Sequence, residues 1–162
     1  MKRFLLSSFV VTLLLALAAP SASAQQQAVW KQSIGAQLAT HLNQPETEAQ
    51  DHAMQIVVAL STYEDRAALN LRATADPLLR IYTTASDASR RLMAVSALNW
   101  VDDPDANVRL LQHGLSETDP RVRRAILYAV STSNRPVTPE LAAAFNALRN
   151  QSGSALAIAE RQ

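Results

Sequence analysis

The sequence has no cysteine among its 162 residues. That absence removes a disulfide framework, a thiol nucleophile, a thiolate metal site and a lipid-modified cysteine. Three glycines leave too little material for a phosphate-cradling loop or a dinucleotide-binding turn, and no G-x-S-x-G elbow occurs. Aromatic residues make up only 5%. The three histidines, His41, His52 and His113, are dispersed and lack metal-ligand spacing such as H-E-x-x-H. Asp102, Asp103 and Asp105 mimic the start of a cation loop, but the glycine and remaining ligands of an EF-hand are missing, so they read as helix-capping acids. No catalytic residue, metal or cofactor is expected.

What is present favours helices. Apolar residues reach 48%, enough for a packed core, and alanine and leucine supply much of that fraction. The first 24 residues stand apart. Lys2 and Arg3 form a positive end, residues 4–19 are almost wholly apolar, Pro20 breaks the run, and Ala22-Ser23-Ala24 has the small-x-small pattern of a signal-peptidase site. The run is short for a membrane span. A cleaved export signal is expected, with a retained anchor as the alternative. Cleavage after Ala24 would leave a periplasmic or extracellular chain starting at Gln25, touching the membrane only transiently through its leader. Removing Lys2 and Arg3 from 15 basic residues leaves 13 against 14 acidic, a net charge of −1. Such a balance lacks the basic field of a nucleic-acid binder.

Along the remaining chain, Val29, Ile34, Leu38 and Leu42 give a loosely amphipathic segment over 25–45, closed by Pro45 and weakened by Gly35. It reads as a helix capping the following domain, or as a partner-docking helix. Ala53, Ile56, Val57 and Leu60 share one helical face. Residues 61–65 suggest a turn opening a helix through Leu69 and Leu71, and Asp76-Pro77 a fresh start with Asp76 as cap. Further breaks fall at 83–87, 102–107, 116–120 and 134–140. Ser152, Gly153 and Ser154 suggest a break into a loose tail over 151–162. The domain proper is expected over 46–150, as six or seven antiparallel helices with short turns.

A shift of 32 residues brings Asp87 onto Asp119, Arg91 onto Arg123, Val95 onto Leu127, Ala97 onto Ala129 and Leu98 onto Val130. Leu78-Leu79 lands on Leu110-Leu111. The buried face of the second copy is expected to be Val122, Ala125, Ile126, Ala129 and Val130. The first copy offers Arg90, Met93, Ala94, Ala97 and Leu98, apolar at four of five places. A period of this size marks stacked helical hairpins, each too small to bury its apolar face alone. Residues 115–130, "LSETDPRVRRAILYAV", resemble the HEAT repeat, especially its short bacterial form. The likeness is close over 115–131 and fair over 83–101, where Arg90 replaces the motif valine and Ala88 its proline. It fades before residue 75. It implies a short all-α solenoid of stacked antiparallel helix pairs and specifies function poorly.

The resemblance also implies a role for the motif arginine, which bonds acids and turn carbonyls between repeats. Arg123 would then pair with Glu117 or Asp119, and Arg91 with Asp87. Arg124 differs, because the helical wheel sets it opposite Val122 and Ile126 with Tyr128 one turn on. In HEAT-like folds the second helix of each pair lines the concave surface. Arg121, Arg124 and Tyr128 are therefore the expected partner-binding face, weighed against a solvated face of snorkelling arginines. Trp100 reads as core packing at a hairpin turn rather than ligand stacking. The function expected is an exported, non-enzymatic scaffold that binds another protein in the cell envelope. The alternatives are an enzyme or accessory protein of the bilin-lyase type, and a structural bundle of an envelope assembly.

Overall fold

The computed structural model describes residues 22–62, 68–101, 103–132 and 138–159. Among these the fold is all-α: α1 (Ala22–Leu42), α2 (Thr47–Ala59), α3 (Ala75–Thr84), α4 (Ala88–Leu98), α5 (Pro104–Gly114), α6 (Pro120–Ser131) and α7 (Pro139–Ala159), with 3₁₀ turns at Leu60–Thr62 and Arg72–Thr74. The leader through residue 21, the expected helix start at 63–67, the Asp102 cap and the end of the tail lie outside the described residues.

Three helix starts follow one local rule. Asp87 accepts hydrogen bonds from the backbone N–H groups of Ser89 and Arg90. Asp119 does the same for Arg121 and Val122. Asp103 accepts from Ala106 at 3.0 Å. In α5 and α6 a proline follows the cap, where its missing N–H costs nothing. Thr138 caps α7 by accepting from Leu141 N. Asp76 departs from expectation: it lies in the first turn of α3, after the N-cap Thr74. Thr74 is fully buried, and its hydroxyl donates to Leu71 O at 2.7 Å.

Helices pack in two series. The series α2, α4, α6 stack successively, as do α1, α3, α5 and α7, and consecutive helices close the hairpins α1/α2, α3/α4 and α5/α6. The core runs unbroken from Leu38 and Leu42, through Leu78, Leu79, Val95 and Leu98, to Leu110, Leu111, Ile126 and Leu148. Of the expected α6 face, Val122, Ile126, Ala129 and Val130 are buried and Ala125 is half-buried. Helix α4 touches α2, α3, α5 and α6, which accounts for its apolar residues nearly all round.

Four local expectations need correction. The buried residues of α2 are Ala53, Met54 and Val57; Ile56 and Leu60 only flank the core. Leu69 and Leu71 are buried, yet the chain there is not helical. It crosses α1 closely enough for Asn70 N to reach Lys31 O at 3.4 Å, an approach that the girth of a helix would prevent. Helix α1 buries Leu38, Ala39 and Leu42 in its C-terminal half and leaves Val29 65% exposed. Finally, α7 continues through Gly153 to Ala159, since the run of alanine, leucine and isoleucine beyond outweighs one glycine.

Gly35 marks the tightest contact. A Cβ there would lie 1.7 Å from the carbonyl oxygen of Asn70, a backbone atom held by its own crossing. Alanine gains about 1 kcal/mol of helix propensity over glycine, but the overlap forces α1 and the 69–71 crossing apart. Gly35→Ala is expected to destabilise by at least about 2 kcal/mol net, a fall of roughly 7 °C in Tm. Gly114→Ala is expected to stay within about 1 kcal/mol, because its Cβ would meet only side-chain ends of Leu148 and Ile126 at 3.1–3.4 Å. Thermal melts of the two variants check the order.

Candidate functional site

Five polar links join helices, or the turns beside them, that lie two places apart from α1 to α6. Arg80 on α3 donates to Leu42 O and to Asn43 Oδ1. Arg90 on α4 pairs with Asp51 of α2 at 2.8 Å and bonds Gln50. Arg109 on α5 pairs with Asp76 of α3 at 2.5 Å. Thr132 after α6 donates to Asn99 after α4. The fifth and most enclosed link is Arg91 with Glu117. Two parallel bonds of 2.9 Å join them, with side chains 16% and 4% exposed.

Glu117 also accepts from the backbone N–H of Thr118 and Asp119, each at 2.9 Å. On the other side Arg91 donates to Ser86 O at 2.8 Å and Ala85 O at 3.2 Å. The pair therefore fixes the α5–α6 turn against the α3–α4 turn. Burial alone would raise the Glu117 pKa. The bonds from Arg91 and from the two backbone N–H groups overcome it and hold the carboxyl below its usual range. The hydrogen bond to Glu117 raises Arg91 in turn.

The expected arginine partners change accordingly. Arg91 takes Glu117 rather than Asp87, whose carboxylate is committed to capping α4. Arg123 takes neither Glu117 nor Asp119. Glu117 is occupied by Arg91, while Asp119 caps α6 and pairs with Arg121 at 2.9 Å. The bonds from Arg121 side chain and backbone lower the Asp119 pKa to about 2. The Arg123 Nε is buried without an acceptor.

The residues expected to bind a partner share the outer side of α6. Arg121, Arg124 and Tyr128 are exposed, Tyr128 at 64%. Arg121 is held by Asp119. No ion pair engages Arg124 among the described residues. An exposed cation one turn before an exposed phenol offers stacking, hydrogen bonding and charge to a protein surface.

Sequence reading missed the Arg90–Asp51 link, although Arg90 stood out on an apolar face. Finding its acid required knowing that α2 stacks on α4. It also missed two clefts beside the α3–α4 turn, the first of them mainly polar. One, of about 280 Å³, is lined by Tyr82, Arg91, His113 and Glu117 among others. The other, of about 370 Å³, is lined by Asp51, Asp87, Arg90 and Met93 among others. Tyr82 is 3% exposed. Its burial, then the nearby Glu117 charge, push its pKa up to about 12, so it remains a neutral donor. Among the described residues, no three His, Asp or Glu side chains gather to hold a metal ion. Within the same residues, no helix is long and apolar enough to cross a membrane. Comparison with protein families, curated proteins and solved structures returns no match for this chain.

The Glu117 pair has a pH signature. Its folded pKa lies below the unfolded value of about 4.3. The stabilisation is therefore fully present above that value and is lost as pH falls through the folded pKa. Glu117→Gln strands the Arg91 guanidinium opposite a neutral amide. It is expected to cost about 2–3 kcal/mol at pH 7 and to flatten the acid limb of stability against pH. Urea unfolding from pH 7 to 3 measures both.

Proposed function

We propose that this chain is an exported, non-enzymatic adaptor: a short α-solenoid of HEAT-like helix pairs that binds another protein in the cell envelope. The stacking of α2, α4 and α6, with polar links between helices two places apart, supports the solenoid reading. So does the repetition of one capped helix start at Asp87 and Asp119. The N-terminal leader motif supports export.

The observation that carries the binding reading is the outer face of α6. Tyr128 spends a large apolar ring in solvent, beside a guanidinium that no acid neutralises among the described residues. Neither side chain holds the fold together, and the pair has the composition of an interface anchor. Arg121 extends the face toward the start of the helix with its orientation fixed by Asp119. The partner is a protein surface with an apolar recess for the phenol and acceptors for Arg124. Nucleic acid is disfavoured by the near-neutral charge.

Crosslinking followed by pull-down from the extracytoplasmic fraction tests this. The wild-type chain should recover a discrete partner, and the double variant Arg124→Glu/Tyr128→Ala should lose it. That variant should also melt within about 0.5 kcal/mol of wild type, as expected for exposed positions. Equal recovery by both proteins, or none by either, sinks the reading.

A further inference from the structure

The unpaired Arg123 sits where the repeat pattern comes to an end. Arg91 and Arg123 are equivalent: each lies four residues after a capping aspartate, and each donates its backbone N–H to that aspartate's carbonyl. One helical turn on, Val95 and Leu127 are equivalent too. In α4 this flank is covered by the next hairpin. Glu117 bonds Arg91, α6 packs on α4, and Val95 is fully buried.

In α6 no acid among the described residues takes the place that Glu117 takes for α4. Residue 149, which stands 32 beyond Glu117, is Arg149, exposed and in the middle of helix α7. Helix α7 packs on α5 and α6 as the fourth member of the other series, so α2, α4 and α6 have no successor among the described residues. Leu127 is left half-buried, and Arg123 Nε is out of water with no acceptor among the described residues. A buried donor without an acceptor is a standing penalty. An incoming carboxylate would remove it.

We propose that this flank, Arg123 with Leu127, receives a helix from a partner protein, one that carries a glutamate two residues before its N-cap. The incoming turn would meet Arg123 as the Glu117 turn meets Arg91, and its helix would cover Leu127 as α6 covers Val95. The partner would thereby extend the α2–α4–α6 series by one helix. This rests on the adaptor reading above and adds a second contact to it, on a different side of α6 from Arg124 and Tyr128.

The probe is a fluorescent synthetic peptide of residues 115–132, which contains both the Glu117 turn and the apolar face of α6. Anisotropy against the full chain should show saturable binding. Changing Glu117 to Gln in the peptide should weaken it roughly tenfold, the size of one charge-assisted hydrogen bond. Arg123→Met in the protein should weaken it equally, with no further loss when both changes are combined. Arg123→Lys should recover part of the affinity, and Arg124→Glu/Tyr128→Ala should change nothing. Absence of binding overturns the proposal, as does a Gln peptide that binds equally well. Loss with Arg91→Met but not with Arg123→Met also overturns it, because the peptide would then be displacing the native turn. A failed peptide beside an intact pull-down removes this flank and leaves the adaptor reading standing.

Discussion

The structure turns on one carboxylate. Glu117 receives the two-pronged guanidinium of Arg91 while accepting two backbone N–H groups of its own turn. Arg91 in turn gathers the carbonyls of Ala85 and Ser86. One ion pair thus sets the α3–α4 turn against the α5–α6 turn. The second of these turns places Asp119 to cap α6. Fixing the start of α6 fixes which of its sides meets α4. Apolar stacking supplies affinity between hairpins but little registration, since a face of alanine and leucine packs acceptably after a small slide. The pair, enclosed and bidentate, supplies the registration.

The parts of this arrangement that were legible in the sequence are those set by local chemistry. Aspartate before proline announced the starts of α5 and α6, and the 32-residue echo paired α4 with α6. The buried residues of α6 followed from its 3.6-residue period. The errors arose where tertiary contact overrode a local signal. Gly35 looked like a weakness in α1, yet it is the gap through which the 69–71 crossing passes. Leu69 and Leu71 looked helical because they follow the turn signal at 61–65, but a crossing that is not helical can bury alternate residues. Gly153 looked like a stop, and the helix passed through it.

The arginines divide the same way. Their exposure followed from the helical wheel, so Arg121, Arg124 and Tyr128 fell together on the outer side of α6. Their partners did not follow. Asp87 and Asp119 are the nearest acids in sequence to Arg91 and Arg123, but Asp87 uses both oxygens to cap α4, and Asp119 divides its own between the α6 cap and Arg121. A capping aspartate is therefore a poor guide to which arginine it pairs with. The acid that counts, Glu117, lies on the neighbouring hairpin, and only the stacking direction tells Arg91 from Arg123 as its owner.

Arg90 stands where the resemblance in the sequence leads one to expect a valine, and its contacts show what takes that place. The matching position on α6 is Val122, fully buried. On α4 the arginine instead reaches α2, bonding Asp51 and Gln50. Gln50 is itself anchored through its Nε2 to Gln44 O at 2.5 Å. At this one position the contact is thus polar on α4 and apolar on α6. A part-exposed ion pair contributes less than buried valine. It constrains direction more, since Arg90 can satisfy both acceptors only in one register of α4 on α2. Between the first hairpin and the second lie the 3₁₀ turns Leu60–Thr62 and Arg72–Thr74 and the 69–71 crossing. A directional polar contact there does for the first boundary what the Arg91–Glu117 pair does for the next.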